Sequence, residues 1–122
     1  MGQSRTENFK TINVTILSGQ SLSDSEWVEG MIVFGFKMPD AWTAADLTAQ
    51  ASDDGITWMD IYDTADAEWS AKVAASRFCL CRTDKPWLGG MKHMRLRSGT
   101  AAAPISQDAD RIIALRLAFP NA

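Results

Sequence analysis

Apolar and polar residues alternate with a period of two through most of this chain, and no stretch sustains the 3.6-residue period of an amphipathic helix. The pattern is plainest from Leu47 to Asp63, LTAQASDDGITWMDIYD. Leu47, Ala49 and Ala51 fall on one face and Thr48, Gln50 and Ser52 on the other, because successive strand side chains point to opposite sides. Asp53, Asp54 and Gly55 then reverse the chain, since Asp side chains bond nearby backbone amides and glycine accepts the positive φ of a tight turn. The return run carries Trp58, Met59, Ile61 and Tyr62. The stretch predicts a β-hairpin around which the remaining strands are laid.

Ile12, Val14 and Ile16 alternate with Thr11, Asn13 and Thr15, a half-buried strand closed by Ser18 and Gly19. Residues 20–29 are polar except for Leu22, Trp27 and Val28, which leaves room for a short edge strand. The nearly continuous apolar run Met31 to Met38 reads as a central strand, ended by Pro39 because proline has no N–H to give a ladder. Residues 39–46 form a compact connection with room for a helical turn, and Trp42 plugs one end of the core. Glu68 to Val73 predicts a strand with Trp69, Ala71 and Val73 inward, and Arg77 to Arg82 predicts another. Trp87 and Leu88 fold back over the end of the core from a loop that the two glycines Gly89 and Gly90 close. Met91 to Arg97 sets Met94 and Leu96 against His93, Arg95 and Arg97. After a long loop over residues 98–110, Arg111 to Phe119 places Ile113, Leu115, Leu117 and Phe119 on one face before Pro120.

Seven to eight short, one-sided strands hide their apolar faces most economically against each other. The expected fold is therefore all-β, an antiparallel β-sandwich of the jelly-roll kind, with Ile16, Phe34, Ala49, Ile61, Leu96 and Leu115 meeting inside.

The 122 residues fit one domain, expected over 11–122, behind a flexible polar arm at 1–10. A net charge of -3 and a pI near 5.0 give no overall attraction to nucleic acid or to an anionic membrane. There is no basic leader with an apolar run, and no stretch approaches the roughly 18 apolar residues of a membrane span, so synthesis without export is the expectation. Asn13-Val14-Thr15 matches a glycosylation acceptor, a pattern that matters only in a secreted eukaryotic chain. Cys79 and Cys81 project from one strand face about 7 Å apart, near or beyond disulfide reach, and read as free core thiols. His93 is the only histidine, too few ligands for zinc.

No Ser-His-Asp order, phosphate-cradling glycine loop or catalytic carboxylate pair emerges from these residues, so no enzyme and no cofactor is expected. Asp53 and Asp54 suit calcium in charge, but a turn role accounts for them with fewer assumptions, because calcium wants six to eight oxygens. Asp108 and Asp110 invite the same comparison. Asp60 and Asp63 beside Trp58 and Tyr62 have the make-up of a sugar platform, although Trp58 in a sandwich also suits the core. His93, Arg95, Arg97 and Arg116 form a potential cationic stripe on the outer face of neighbouring strands. The stripe is either a solvated face or, with Trp87, a grip on an acidic neighbour, arginine being enriched at protein interfaces.

The order of features resembles the discoidin-like, galactose-binding jelly roll. In that family a Ser-Asp-Asp-Gly-x-x-Trp turn, here Ser52 to Trp58, is followed by an Ala-Arg-aromatic strand, here Ser76-Arg77-Phe78, a Trp-containing loop, here Trp87, and an Arg-rich strand, here Met91 to Arg97. The wording MPDAWTAADLTAQASDDGITWMDIYD, with Arg95 to Pro104 and Gln107 to Arg111, is also similar to small structural proteins of tailed bacteriophages. That resemblance implies a virion component made in the bacterial cytoplasm. Its expected partners are phage capsid or tail proteins and further copies of itself. A capsid decoration protein is the first expectation, and a tail or baseplate module binding host surface polysaccharide the second.

Overall fold

The computed structural model describes residues 9–80 and 88–119. Nine strands follow in order: β1 (Phe9–Ile16), β2 (Glu26–Trp27), β3 (Ile32–Lys37), β4 (Leu47–Ser52), β5 (Met59–Asp60), β6 (Phe78–Leu80), β7 (Leu88–Gly89), β8 (His93–Ser98) and β9 (Arg111–Ala118). No helix occurs among the described residues. The strands make a five-stranded sheet in the order β1-β9-β3-β6, with β7 also on β3, and a four-stranded sheet in the order β2-β8-β4-β5. All pairings are antiparallel. Most connections carry the chain from one sheet to the other, so the two layers close over one interior as an antiparallel β-sandwich.

Period-two burial builds that interior. Val14 and Ile16, Val33 and Phe36, and Ile113, Leu115 and Leu117 turn inward from the five-stranded sheet, against Leu47, Ala49, Met94 and Leu96 of the other. Trp69 fills the space beside Phe36, ring centroids 6.1 Å apart. The hairpin forms as its residues dictate: Gln50 pairs with Asp60 and Ala51 with Met59. In its turn Gly55 takes φ 76°, and the Asp54 carboxylate accepts from the Ile56 and Thr57 amides at 2.8 and 2.7 Å. Ser52 Oγ accepts from the Gly55 amide at 2.8 Å.

Several expectations are corrected. The first strand starts at Phe9, so Phe9 and Lys10 belong to the sheet, and the rest of the expected arm lies outside the described residues. Phe34 does not point inward. A bulge between Val33 and Gly35 inserts one residue, so the inward positions become Val33 and Phe36, and the Phe34 ring sits 5.6 Å from Phe9 on the outside. Phe119 lies past the end of β9 and is exposed. Glu68 to Val73 is no continuous strand; it is tied by the isolated bridges Tyr62 to Glu68 and Leu47 to Ala71, yet Trp69, Ala71 and Val73 still pack on the core. The 39–46 connection has no helical turn, and Trp42 packs against the core with its ring N–H donating to Ala45 O at 3.1 Å. Cys79 is a free, half-buried thiol, and Cys81 lies outside the described residues.

The long loop before β9 is fastened by backbone bonds, Gly19 N to Gln107 O at 2.7 Å and Gln107 N to Gln20 O at 3.0 Å, and by the Gln107 side chain. Gln107 is fully buried; its amide nitrogen donates to Thr43 O at 3.0 Å and Ser98 Oγ at 2.7 Å, while its oxygen accepts from Thr43 N and Arg111 Nε. Such satisfaction of every arm is what makes a buried amide tolerable.

Candidate interaction faces

The outward side chains of β8 are His93, Arg95 and Arg97, in register with Ser52, Gln50 and Thr48 of β4. Arg97 is only 6% exposed, because β5 and the bridge at Glu68 bring two carboxylates over it. Its guanidinium donates to Thr48 Oγ1 at 3.0 Å, Asp60 Oδ1 at 3.0 Å and Glu68 Oε2 at 2.6 Å. Glu68 in turn accepts from the Ala101 amide at 3.1 Å, which pins the start of the long loop. Arg97 is thus an internal clamp and offers nothing to a partner.

Arg95 lies beside it and is partly spoken for. Its Nε donates to Gln50 Oε1 at 2.8 Å and its guanidinium carbon stands 4.3 Å from the centre of the Trp58 ring, a cation–π contact. Burial, and then the neighbouring Arg97 charge, push its pKa down. Gln50 also donates to Asp60 at 3.0 Å, and this bond, with Arg97, holds the Asp60 carboxyl below its ordinary range. Trp58 is therefore neither in the core nor bare: it is an outer-face platform already covered by Arg95. His93 lies against the Gly55 turn, where a Cβ would sit 3.6 Å from its ring, and pairs across the ladder with Trp27, which is 57% exposed. The Asp54 carboxylate of that turn is held well below its usual range by the amides of Thr57 and Ile56 and the Ser52 hydroxyl, all of which donate to its Oδ1.

Arg116 does not join this row. It stands on β9, in the opposite sheet, because the long loop carries the chain across the sandwich between β8 and β9. The four residues expected to form one stripe are thus split three and one, and Trp87 lies outside the described residues.

The face that Arg116 does occupy is the outer surface of the five-stranded sheet, and sequence reasoning missed it. Register places Phe9, Ala118 and Ile32 in one row, Thr11, Arg116, Gly35 and Leu80 in the next, and Ala114, Lys37 and Phe78 beyond, with Ile112 near the end. Phe9, Phe78, Leu80 and Ile112 are between 48% and 66% exposed. Gly35 allows the rings and methyls of β6 to lean across β3, since a Cβ there would meet Phe78 at 3.1 Å and Leu80 at 3.2 Å. The Arg116 guanidinium lies over Phe78 at 5.0 Å, and its Nε is buried with no hydrogen-bond partner among the described residues. An apolar sheet surface with a buried guanidinium N–H that no described residue accepts is unusual for a face that meets only water. The signal in the sequence was the loss of alternation: Ile112-Ile113, Phe78 through Leu80 and the run Met31 to Met38 are apolar on both sides.

Comparison of the chain with protein-family models, with curated proteins and with solved structures finds no match in any of the three.

Proposed function

We propose that this chain is a non-enzymatic structural protein of a tailed-bacteriophage particle, a decoration protein that binds the capsid surface in many copies. One observation carries the reading: the outer surface of the five-stranded sheet combines exposed Phe9, Phe78, Leu80 and Ile112 with an Arg116 whose Nε lacks a partner among the described residues. Such a face is stabilised by covering it with an apolar surface that brings a carboxylate to Arg116. Repetition over a symmetric shell makes modest single contacts strong in sum. The sequence resemblance to small phage structural proteins points the same way.

The test is a phage from which the gene has been deleted. Purified particles should lack one 13.4 kDa band and lose integrity at a lower temperature than wild type. Particles of unchanged composition and heat resistance overturn the reading.

A second reading, a tail or baseplate module that binds host polysaccharide, draws on the other sheet, where exposed Trp27 stands beside His93. It predicts saturable polysaccharide binding that falls at least tenfold with Trp27→Ala.

A further inference from the structure

We propose that the outer face of the four-stranded sheet binds a polysaccharide carrying carboxylated sugars, with Arg95 anchoring the carboxylate and the exposed Trp27 ring meeting the sugar beside it. It rests on the second reading above, that this sheet binds host polysaccharide, and specifies the sugar.

Arg95 is held in place without being neutralised. Its neighbour Arg97 commits its guanidinium to Asp60 and Glu68, whereas Arg95 is positioned by two uncharged groups, the Gln50 Oε1 at 2.8 Å from its Nε and the Trp58 ring at 4.3 Å. Among the described residues no carboxylate stands within ion-pair distance of it. Its two terminal nitrogens have no hydrogen-bond partner among the described residues and neither is buried, so their N–H groups reach solvent from a plane already fixed by the ring beneath. The planar fork of arginine matches the two oxygens of a carboxylate, and a fork set by its own neighbours loses little freedom on binding.

Register supplies the rest of the site. His93 and Arg95 point outward from β8 about 7 Å apart, and His93 pairs with Trp27 on β2, about 5 Å across the ladder. Trp27 is exposed, and the His93 ring nitrogens likewise reach solvent with no partner among the described residues. Adjoining sugars of a chain span such a row, an apolar ring face on Trp27 and hydroxyls on His93. The surroundings favour a lone carboxylate over a chain of phosphates. Asp54, in the turn that lies against His93, and Asp60, across Gln50, flank the cation with negative charge, and a nucleic-acid strand brings a charge about every 3.4 Å. A neutral sugar leaves the fork without the anion its geometry fits.

Calorimetric titration of the full chain with purified bacterial polysaccharides tests this: capsules containing uronic acids, wall teichoic acid, whose charge is phosphate, and neutral dextran. The expected result is saturable binding to a uronate polysaccharide that falls at least tenfold when its carboxyls are reduced to alcohols, with the protein unaltered. Arg95→Gln should cost as much, and Arg95→Lys, which keeps the charge and loses the fork, should cost less; thermal melts of both separate lost binding from lost folding. Binding that survives carboxyl reduction, or that prefers dextran, and still falls with Trp27→Ala overturns the carboxylate and leaves the second reading standing. A preference for teichoic acid overturns it in the same way. A chain that binds none of the polysaccharides overturns both.

Discussion

Arg97 Nη2 donates to Glu68 Oε2 at 2.6 Å, and that contact ties β8, inside the four-stranded sheet, to the segment that follows β5. The side chain of Arg97 is 7% exposed and those of Asp60 and Glu68 are 31% and 19% exposed, so the triad is largely out of water. Removing the cation leaves two half-buried carboxylates facing each other. Arg97→Met is expected to cost about 3 kcal/mol, at the low end for breaking a buried pair because both acids keep some hydration. In a thermal melt that is a fall of about 10 °C for a domain of this size. A melt unchanged within a degree or two would show that the triad is not a clamp.

Asp54 and Asp60 set the response to acid. Both carboxyls are depressed, Asp54 by the Thr57 and Ile56 amides and Asp60 first by Gln50 and then by Arg97. A depressed native pKa contributes stability that is fully present above the unfolded value near pH 4 and is lost as pH falls toward the native value. The melting midpoint should therefore drop as pH is lowered below about 4. Asp54→Asn, which cannot bind that proton, should flatten the drop. Parallel curves for the variant and the wild type would contradict the assignment.

Gly99 is the least replaceable glycine. It takes φ 89°, and a Cβ there would lie 2.5 Å from Ala103 O and 2.7 Å from Ile105 N. Its own carbonyl accepts from Thr48 Oγ1 at 2.7 Å, so the loop cannot withdraw without breaking the sheet's polar face. Gly99→Ala should lose about 1–3 kcal/mol from backbone strain, before the overlap is relieved. Denaturant titration measures it; a midpoint equal to wild type contradicts the geometry.

Inside and outside should separate cleanly by mutation. Leu115 is fully buried and Leu80 is 66% exposed. Leu115→Ala is expected to cost about 2–5 kcal/mol, whereas Leu80→Ser should stay within about 0.5 kcal/mol of wild type. Comparable losses at both sites would mean that the β6 face is covered within the isolated chain.

Alternation made most of this fold readable. Ile16, Ala49, Leu96 and Leu115 turn inward where a period of two puts them, and Asp54 and Gly55 make the turn their chemistry calls for. Phe34 departs from the alternation because a bulge shifts the count by one, and nothing in MIVFGFKM marks the extra residue apart from Gly35. Arg116 was grouped with the β8 arginines because strand composition says nothing about which sheet a strand joins. Arg97 looked available for the same reason: its partners Asp60 and Glu68 come from segments 37 and 29 residues away. The outer apolar face was hidden by a reasonable rule, that a strand apolar on both sides is buried on both sides.

Electron cryomicroscopy of the proposed phage particle, at a resolution that traces this sandwich, decides whether the outer face of the five-stranded sheet is an interface. If the chain decorates a capsid as proposed, copies are arrayed on the shell with Phe78, Leu80 and Ile112 covered and a carboxylate of the shell against Arg116. A particle without the protein, or one in which that face of the five-stranded sheet looks into solvent, would contradict it.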